Sequence, residues 1–337
     1  MNYNTLLLRR SLSPLTRNSR FIFGQIRAFA PMASSTEQQH PAAALPAAAP
    51  QDKNKNKKAA ASKGQGQVPK GKKELKILML HGYTQSGTLF SAKTKGLNKL
   101  LVKGLSAAPP LDLHPTLIYP TGPHRLRPSD IPGYQGDDDA LDEDDLDNWA
   151  WWRKNDATGT YTGFEAGMLA VAHAIRDSGG VDGVMGFSQG GCMAALVAAA
   201  LEQHPPHNPP HSPSTSSSPE WLTALRTSNA HRPLKFCIIY SGFAAPPTTG
   251  LEWLYEPPIS TPTLHFIGSN DQIVVPERSE ALIKRCRDPL VFTHPGTHFV
   301  PVAREWAMPL VGWIRERCLK DVDREKEKDK EGETSSL

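Results

Sequence analysis

The chain of 337 residues contains 39% hydrophobic and 21% charged residues, a composition typical of a globular protein rather than of a disordered one. No apolar run reaches the ~20 residues that a membrane-spanning helix needs, which excludes an integral membrane protein. Residues 1–73 carry 13 of the 38 basic residues and two of the 34 acidic ones, so their net charge is +11 and that of the remainder is −7. Basic chains often bind nucleic acid, but here the positive charge lies outside the apolar part, and no nucleic-acid partner is expected.

The first 30 residues contain five arginines, no acidic residue, and interspersed leucines and phenylalanines. This composition is typical of an amphipathic mitochondrial presequence. The alternative is that translation starts at Met32. We therefore expect a mitochondrial protein if residues 1–30 are translated and cleaved, and a cytoplasmic one otherwise.

Residues 31–73 are rich in Ala and Pro and then in Lys, with almost no large apolar side chains. Such a segment buries too little surface to offset the entropy lost on ordering, so it is predicted to be a disordered linker. The alternative is a polybasic patch for RNA or anionic lipid. No aromatic residue is interleaved among the lysines to stack on bases, which favours the linker.

From Leu75 to Lys320, short apolar runs alternate with helical patterns. This alternation predicts an α/β domain, over residues 75–320, with a mostly parallel sheet covered by helices on both faces. A Pro- and Ser-rich insertion of low complexity interrupts the pattern at about residues 203–232. Residues 321–337 form a charged tail that is predicted to be disordered. The predicted strands are 76–80, 117–119, 181–187, 235–240, 263–267 and 289–293.

Neither a metal nor a cofactor is expected. Three histidines lie in the insertion, but flexible Pro-rich backbone does not preorganise ligands. The acidic run 137–147 lacks the spacing of a calcium loop. The four cysteines form no CxxC pair, which predicts reduced thiols.

The motif Gly186-Phe187-Ser188-Gln189-Gly190 matches G-x-S-x-G between an apolar strand and an Ala-rich helix. A serine nucleophile in such a strand-to-helix turn needs small residues two positions away on either side. The turn also places Ser188 at a helix N-terminus, where backbone N–H groups favour negative charge. The context predicts that Ser188 is a catalytic nucleophile.

A nucleophilic serine requires a base, and the base requires an orienting acid. In hydrolases built on such a sheet, these follow in the order acid and then histidine. Asp271 comes directly after the strand 263–267, and His298 follows the Gly-bearing turn after the strand 289–293. His298 is preferred over His294, which still lies at the strand end before a proline. The predicted triad is Ser188, Asp271 and His298.

The tetrahedral intermediate needs two hydrogen-bond donors. The N–H of Gln189, the residue after the nucleophile, supplies one. The loop after the first strand supplies the other, and we assign it to the N–H of Tyr83.

Four motifs in register carry a family resemblance: Leu80–Gly87, Gly186–Gly190, Gly268–Gln272 and His294–Pro301. Together they resemble the eukaryotic "family of serine hydrolases", which includes fungal esterases and the ovarian-tumour-associated hydrolase. The resemblance covers about residues 75–320. It implies an α/β-hydrolase fold reduced at its N-terminal strands, and esterase or thioesterase activity with Ser188, Asp271 and His298 at the triad positions.

Two features depart from the family's pattern, and a third agrees with it. Tyr83 stands where members often have Phe, and the Pro- and Ser-rich insertion is long. Trp149, Trp151 and Trp152 fall where the family carries an aromatic loop near its acyl pocket, which implies substrate contacts. The alternative for these tryptophans is ordinary packing beneath a long loop.

These observations predict a serine hydrolase that cleaves small-molecule esters or thioesters of medium-to-long acyl chains through an acyl-enzyme on Ser188. The alternative is a non-catalytic binding module with the same fold and a basic tail.

Overall fold

The computed structural model describes residues 68–106, 111–131, 147–202 and 218–334, with side chains as far as residue 320. The predicted presequence lies outside these residues, as do nearly all of the linker and the His-bearing part of the insertion. What the sequence predicts for these three segments therefore remains a prediction.

The centre of the fold is a sheet of six parallel strands in the order β10-β9-β8-β7-β1-β2. Two two-stranded antiparallel ribbons, β3-β4 and β5-β6, lie outside it. The strands are β1 (Lys73–Leu80), β2 (Leu113–Ile118), β3 (His124–Arg125), β4 (Trp149–Ala150), β5 (Arg153–Lys154), β6 (Tyr161–Thr162), β7 (Gly183–Phe187), β8 (Phe236–Tyr240), β9 (Thr263–Gly268) and β10 (Leu290–His294).

Helices cover the sheet on both faces. One apolar cluster joins the sheet to α3, α4 and α5, and a second joins its other face to α1, α2 and α7. The helices are α1 (Gly87–Lys93), α2 (Lys95–Ser106), α3 (Phe164–Asp177), α4 (Gln189–Leu201), α5 (Glu220–Ser228), α6 (Pro276–Ile283) and α7 (Arg304–Thr334), with short 3₁₀ turns at Pro128–Asp130, Pro247–Thr249 and Glu252–Tyr255. The predicted α/β architecture with a parallel sheet is confirmed.

The four inner strands explain why apolar runs are so continuous in the sequence. β7, β8 and β9 are buried along their whole length, as are the last four residues of β1. Strands covered on both faces have no solvent side on which polar residues would alternate. Helix α4 is likewise buried at every position, so its sequence shows no polar face.

Two predicted boundaries are corrected by the structure. The sequence predicts that the insertion extends to about residue 232, whereas α5 begins at Glu220 and buries Trp221, Leu222 and Leu225 in the core. The charged tail from residue 321 was predicted to be disordered, whereas α7 continues to Thr334. Lys, Arg and Glu, which dominate this tail, are good helix formers, so a polar sequence can prolong a helix that is already anchored by packing.

Among the described residues, no helix is both long and apolar enough to cross a membrane. All four cysteines are buried, and none forms a disulfide bond.

Candidate active site

Ser188 occupies the turn between β7 and α4. Its φ of 55° lies in the left-handed region, which residues other than glycine rarely adopt. The Ser188 N–H donates to the carbonyl oxygen of Tyr240 at 2.9 Å, which ties the turn to β8. A Cβ at Gly186 would lie 2.0 Å from the Gly190 carbonyl oxygen, and a Cβ at Gly190 would lie 2.1 Å from the Leu80 carbonyl oxygen. The G-x-S-x-G spacing is therefore a packing requirement of this turn.

Asp271 follows β9 and accepts hydrogen bonds at both carboxylate oxygens. Oδ1 accepts from the N–H groups of Ile273 and Val274, both at 2.9 Å, and Oδ2 lies 2.8 Å from Nδ1 of His298. Burial by itself raises the pKa of a carboxyl group, but the hydrogen bonds from His298 and Val274 outweigh it and hold the pKa of Asp271 below its ordinary value of 3.8. The carboxylate is therefore ionised at neutral pH. It fixes the proton of His298 on Nδ1 and leaves Nε2 as an acceptor.

His298 lies next to the serine turn. Its ring centroid is 4.7 Å from that of Phe187, the residue before Ser188. The structure shows no hydrogen bond between the hydroxyl group of Ser188 and His298, although both are described residues. Catalytic hydrogen bonds are often long in the absence of substrate and shorten in the complex. Ser188, Asp271 and His298 all follow the carboxyl ends of strands in one parallel sheet, so they share one edge.

His294, the other histidine of this segment, is a buried packing residue. Its ring centroid is 5.0 Å from that of Phe299 and 5.8 Å from that of Trp306. Its Nδ1 accepts a hydrogen bond from the N–H of Gly296 at 3.2 Å, and burial lowers its pKa. His294 thus supports the turn, and His298 is the histidine that meets the carboxylate.

The two predicted oxyanion donors have free backbone N–H groups. Neither the N–H of Tyr83 nor that of Gln189 donates a hydrogen bond to a described residue. Gln189 begins α4, and the first N–H groups of a helix point outward along a dipole that favours negative charge. The Tyr83 hydroxyl group donates a hydrogen bond to the carbonyl oxygen of Asp130 at 3.0 Å, which fixes the position of the Tyr83 side chain.

His81 holds the loop that carries Tyr83, a role that the sequence analysis missed. Its Nε2 accepts from the N–H of Gly122 at 2.9 Å, so Nδ1 carries the proton and donates to the carbonyl oxygen of Gly82 at 2.8 Å. Burial lowers the pKa of His81 to about 4, so the ring is neutral at pH 7. A histidine at the end of an apolar strand was visible in the sequence, but its distant partners were not.

The structure corrects the assignment of two tryptophans to substrate binding. Trp151 and Trp152 are 0% and 2% exposed and belong to the core. The side-chain amide of Gln189 accepts from the N–H of Trp151 and donates to the carbonyl oxygen of Trp152, both at 2.9 Å. Both indoles are therefore packing residues of the core, as the alternative interpretation predicts. Trp149 is half-buried, and its Nε1 donates to Oδ1 of Asp147 at 2.9 Å.

The Trp151 indole also contacts the residue that holds the loop after β1. Its Nε1 donates to the carbonyl oxygen of His81 at 2.9 Å, and the two rings stack with centroids 4.8 Å apart. The buried tryptophan therefore connects the loop after β1 to the helix that follows Ser188.

A cavity of about 290 Å³, which we call the His298 pocket, opens beside the imidazole. Its walls come from the loop after β1, from α1, from the end of β7 and from the segment around His298. They are mostly apolar. The lining residues are Gln85, Phe90, Lys93, Phe187, His298, Phe299, Val300 and Val302.

Within the described part of the chain, no group of three or more His, Cys, Asp or Glu side chains is arranged to hold a metal ion. The candidate catalytic groups are a serine, a histidine, a carboxylate and backbone N–H donors.

Comparison with known proteins gives a family. The model of the family described as "Serine hydrolase (FSH1)" matches residues 71–310. The chain is 29% identical over 245 residues to "Family of serine hydrolases 2" of Saccharomyces cerevisiae, which covers 71% of this chain and 97% of that protein. It is also 30% identical over 234 residues to a Schizosaccharomyces pombe protein named "Dihydrofolate reductase". That match covers 68% of this chain but only 44% of the relative, so the chain spans less than half of that protein.

Among solved structures, Zea mays acyl-protein thioesterase 2 is similar over 74% of this chain and 96% of its own, with 19% identity and a TM-score of 0.44. The family match spans most of the chain and contains all four motifs from which the resemblance was drawn. The resemblance is confirmed: the chain belongs to the FSH1 family of serine hydrolases.

Proposed function

We propose that this protein is a serine esterase or thioesterase with Ser188 as nucleophile, His298 as general base and acid, and Asp271 as the group that orients the imidazole. One observation carries the proposal. A serine in a strained strand-to-helix turn and an ionised Asp271 bonded at 2.8 Å to His298 lie at the same edge of one sheet. This combination supplies a nucleophile, a base and an orienting acid.

In the first step, Nε2 of His298 takes the proton of the Ser188 hydroxyl group while Oγ attacks the substrate carbonyl carbon. The tetrahedral intermediate then collapses. Its bond to the leaving oxygen or sulfur breaks, and the imidazolium gives that atom its proton. The product is an acyl ester of Ser188 and a free alcohol or thiol. Asp271, which stays ionised, stabilises the imidazolium between the two transfers.

In the second step, water attacks the acyl-enzyme. His298 takes a proton from the water and returns it to Oγ of Ser188 as the acyl–oxygen bond breaks, which releases a carboxylic acid and restores the enzyme. Throughout both steps, the N–H groups of Tyr83 and Gln189 bind the oxyanion. Removing one such donor typically costs about 10²–10³ in kcat.

We further propose that the acyl chain is medium to long. The support no longer comes from Trp151 and Trp152, which are buried. It comes from Ile273 and Val275, which are 68% and 39% exposed directly after Asp271. Exposed apolar side chains in the chain segment that follows the catalytic acid suit an apolar substrate group. Hydrolysis of a series of esters from acetyl to dodecanoyl tests this, and equal kcat/KM values across the series would overturn it.

A fluorophosphonate probe tests the proposed activity itself, because it reacts with a serine only where a base and an oxyanion site activate that serine. We expect labelling of the wild type and of Ser269→Ala, which changes an exposed serine at the same sheet edge, and no labelling of Ser188→Ala. A folded wild type that stays unlabelled would overturn the enzyme proposal in favour of the non-catalytic binding module.

A further inference from the structure

Two side chains react with the substrate in the proposed mechanism: Ser188 forms a bond to it, and His298 transfers protons. Only one of them lines the His298 pocket. His298 lines it, whereas Ser188 does not. In a serine hydrolase, the imidazolium donates its proton to the leaving atom, and the acyl carbon is bonded to the serine. The substrate group that occupies the space beside the imidazole is therefore the leaving group.

The lining of the pocket combines an apolar surface with one positive charge. Phe90 and Phe187 form buried walls, and Phe299 and Val302 are 45% and 36% exposed at the mouth. Lys93 is the charged residue of the lining, in the last turn of α1. No acidic side chain lines the pocket; the ionised Asp271 is bonded to His298 but is not itself a lining residue.

The ammonium group of Lys93 is available to a ligand. Lys93 is exposed, and no ion pair between described residues includes it. A lysine on a flexible four-carbon stem acts as a point charge for carboxylates and phosphates. Its attraction is stronger at the edge of an apolar cavity than in open solvent, because water screens it less there.

We propose, on the basis of the proposed function, that the natural substrates carry a leaving group with an apolar body and a negatively charged end, and that Lys93 selects them. The apolar body lies in the His298 pocket and the anionic group pairs with the ammonium group. During acylation the bond from Oγ of Ser188 to the carbonyl carbon forms, the bond to the leaving sulfur or oxygen breaks, and His298 transfers the serine proton to the leaving atom.

The experiment uses octanoyl thioesters whose leaving thiols differ in charge. The thiols are 3-mercaptopropionate, its neutral N-methylamide and 2-mercaptoethyl phosphate, and thiol release is followed with a disulfide reagent. The selectivity is kcat/KM for an anionic thioester divided by kcat/KM for the neutral one. We expect Lys93→Gln to lower this ratio about fivefold, which is what a partly shielded ion pair contributes. In the wild type the ratio falls as salt increases.

Lys95→Gln is the matched control, because Lys95 is an exposed lysine two residues away that does not line the pocket. A loss of selectivity in Lys93→Gln but not in Lys95→Gln supports the proposal, and the larger of the two anionic ratios identifies carboxylate or phosphate as the preferred group. An equal loss of selectivity in both variants would indicate that the overall positive charge of this surface, rather than Lys93, attracts the anion, and would overturn the proposal.

Two further outcomes also overturn the inference. One is a ratio that is the same in Lys93→Gln as in the wild type. The other is an equal preference for a negative charge on the acyl group. It is measured with a thioester that joins one carboxyl group of a dicarboxylic acid to the neutral N-methylamide thiol. The wild type's labelling by a fluorophosphonate separates these results from a failure of the proposed function. If labelling succeeds and selectivity is absent, the inference alone fails; if labelling fails, both do.

Discussion

Replacing Asp271 with Asn tests whether its carboxylate sets the tautomer of His298. The side chain has two oxygens with different partners: Oδ1 accepts from the N–H groups of Ile273 and Val274, and Oδ2 accepts from His298. An asparagine of the same shape has only one oxygen. Its amide group must therefore face either the two backbone donors or the imidazole.

The structure decides which orientation wins. If the amide NH₂ group faced the backbone, the N–H groups of Ile273 and Val274 would both lose their acceptor, at a cost of about 1–3 kcal/mol for the buried N–H of Val274 alone. With the oxygen retained there, the NH₂ group donates to Nδ1 of His298, and the imidazole must move its proton to Nε2. A protonated Nε2 cannot take the proton of Ser188. We expect kcat to fall by about 10⁴, a rise of about 5 kcal/mol in the barrier.

The assay is ester hydrolysis at pH 7.5, together with the rate of fluorophosphonate labelling and the free energy of unfolding in urea. Because Asp271→Asn keeps both backbone hydrogen bonds, we expect the free energy of unfolding to stay within about 3 kcal/mol of the wild type. The control is Asp288→Asn. Asp288 is exposed at the opposite edge of the sheet with a φ of 48°, a conformation that Asn adopts readily, and we expect full activity. A kcat within tenfold of the wild type for Asp271→Asn would refute the reasoning.

Two more substitutions test packing and burial. In Gly190→Ala the new Cβ would lie 2.1 Å from the Leu80 carbonyl oxygen, so we expect a loss of more than about 3 kcal/mol in the free energy of unfolding and no fluorophosphonate labelling. Gly312→Ala, in α7 with open space around the glycine, should instead add up to about 1 kcal/mol; similar values for the two variants would contradict the packing argument. Burial lowers the pKa of His265 to about 3 from 6.5, so between these values the unfolded chain binds a proton that the folded chain does not, and stability falls as pH decreases. We compare the free energy of unfolding of His265→Leu with that of the wild type by urea unfolding. The variant minus wild-type difference should be about 3 kcal/mol more favourable to the variant at pH 4.5 than at pH 7.5. The same difference at both pH values would contradict the lowered pKa of His265.

The sequence was most informative where a short segment carries its own structural reason. The turn at Ser188 requires glycine at positions 186 and 190 because the backbone around it leaves no room for a Cβ atom. Part of that backbone is at Leu80, which ends the strand next to β7 in the sheet. Asp271 and His298 are predictable because each follows an apolar strand, and parallel strands present their carboxyl ends at one edge. The structure brings these two side chains within 2.8 Å of each other, across a separation of 27 residues.

The sequence was least informative where burial depends on distant partners. Trp151 and Trp152 lie in a loop, and nothing near them shows that the side chain of Gln189 binds their backbone from helix α4. The function of His81 depends on Gly122, 41 residues away. Helix α5 follows a Pro- and Ser-rich stretch, and its apolar face became apparent only against α3 and the 3₁₀ turns.

The amino-acid sequence by itself determined the α/β domain, its excess of acidic residues and the candidate triad, because each of these depends on composition, periodicity or short-range turn chemistry. The family followed from the resemblance of four short motifs. Only the tertiary structure decided that Trp151 and Trp152 belong to the core, that His81 holds the loop that carries Tyr83, and that Lys93 lies at an apolar pocket beside His298. Such facts depend on which side chains from separate elements meet, and the free energy of that packing is distributed over contacts that no single segment contains.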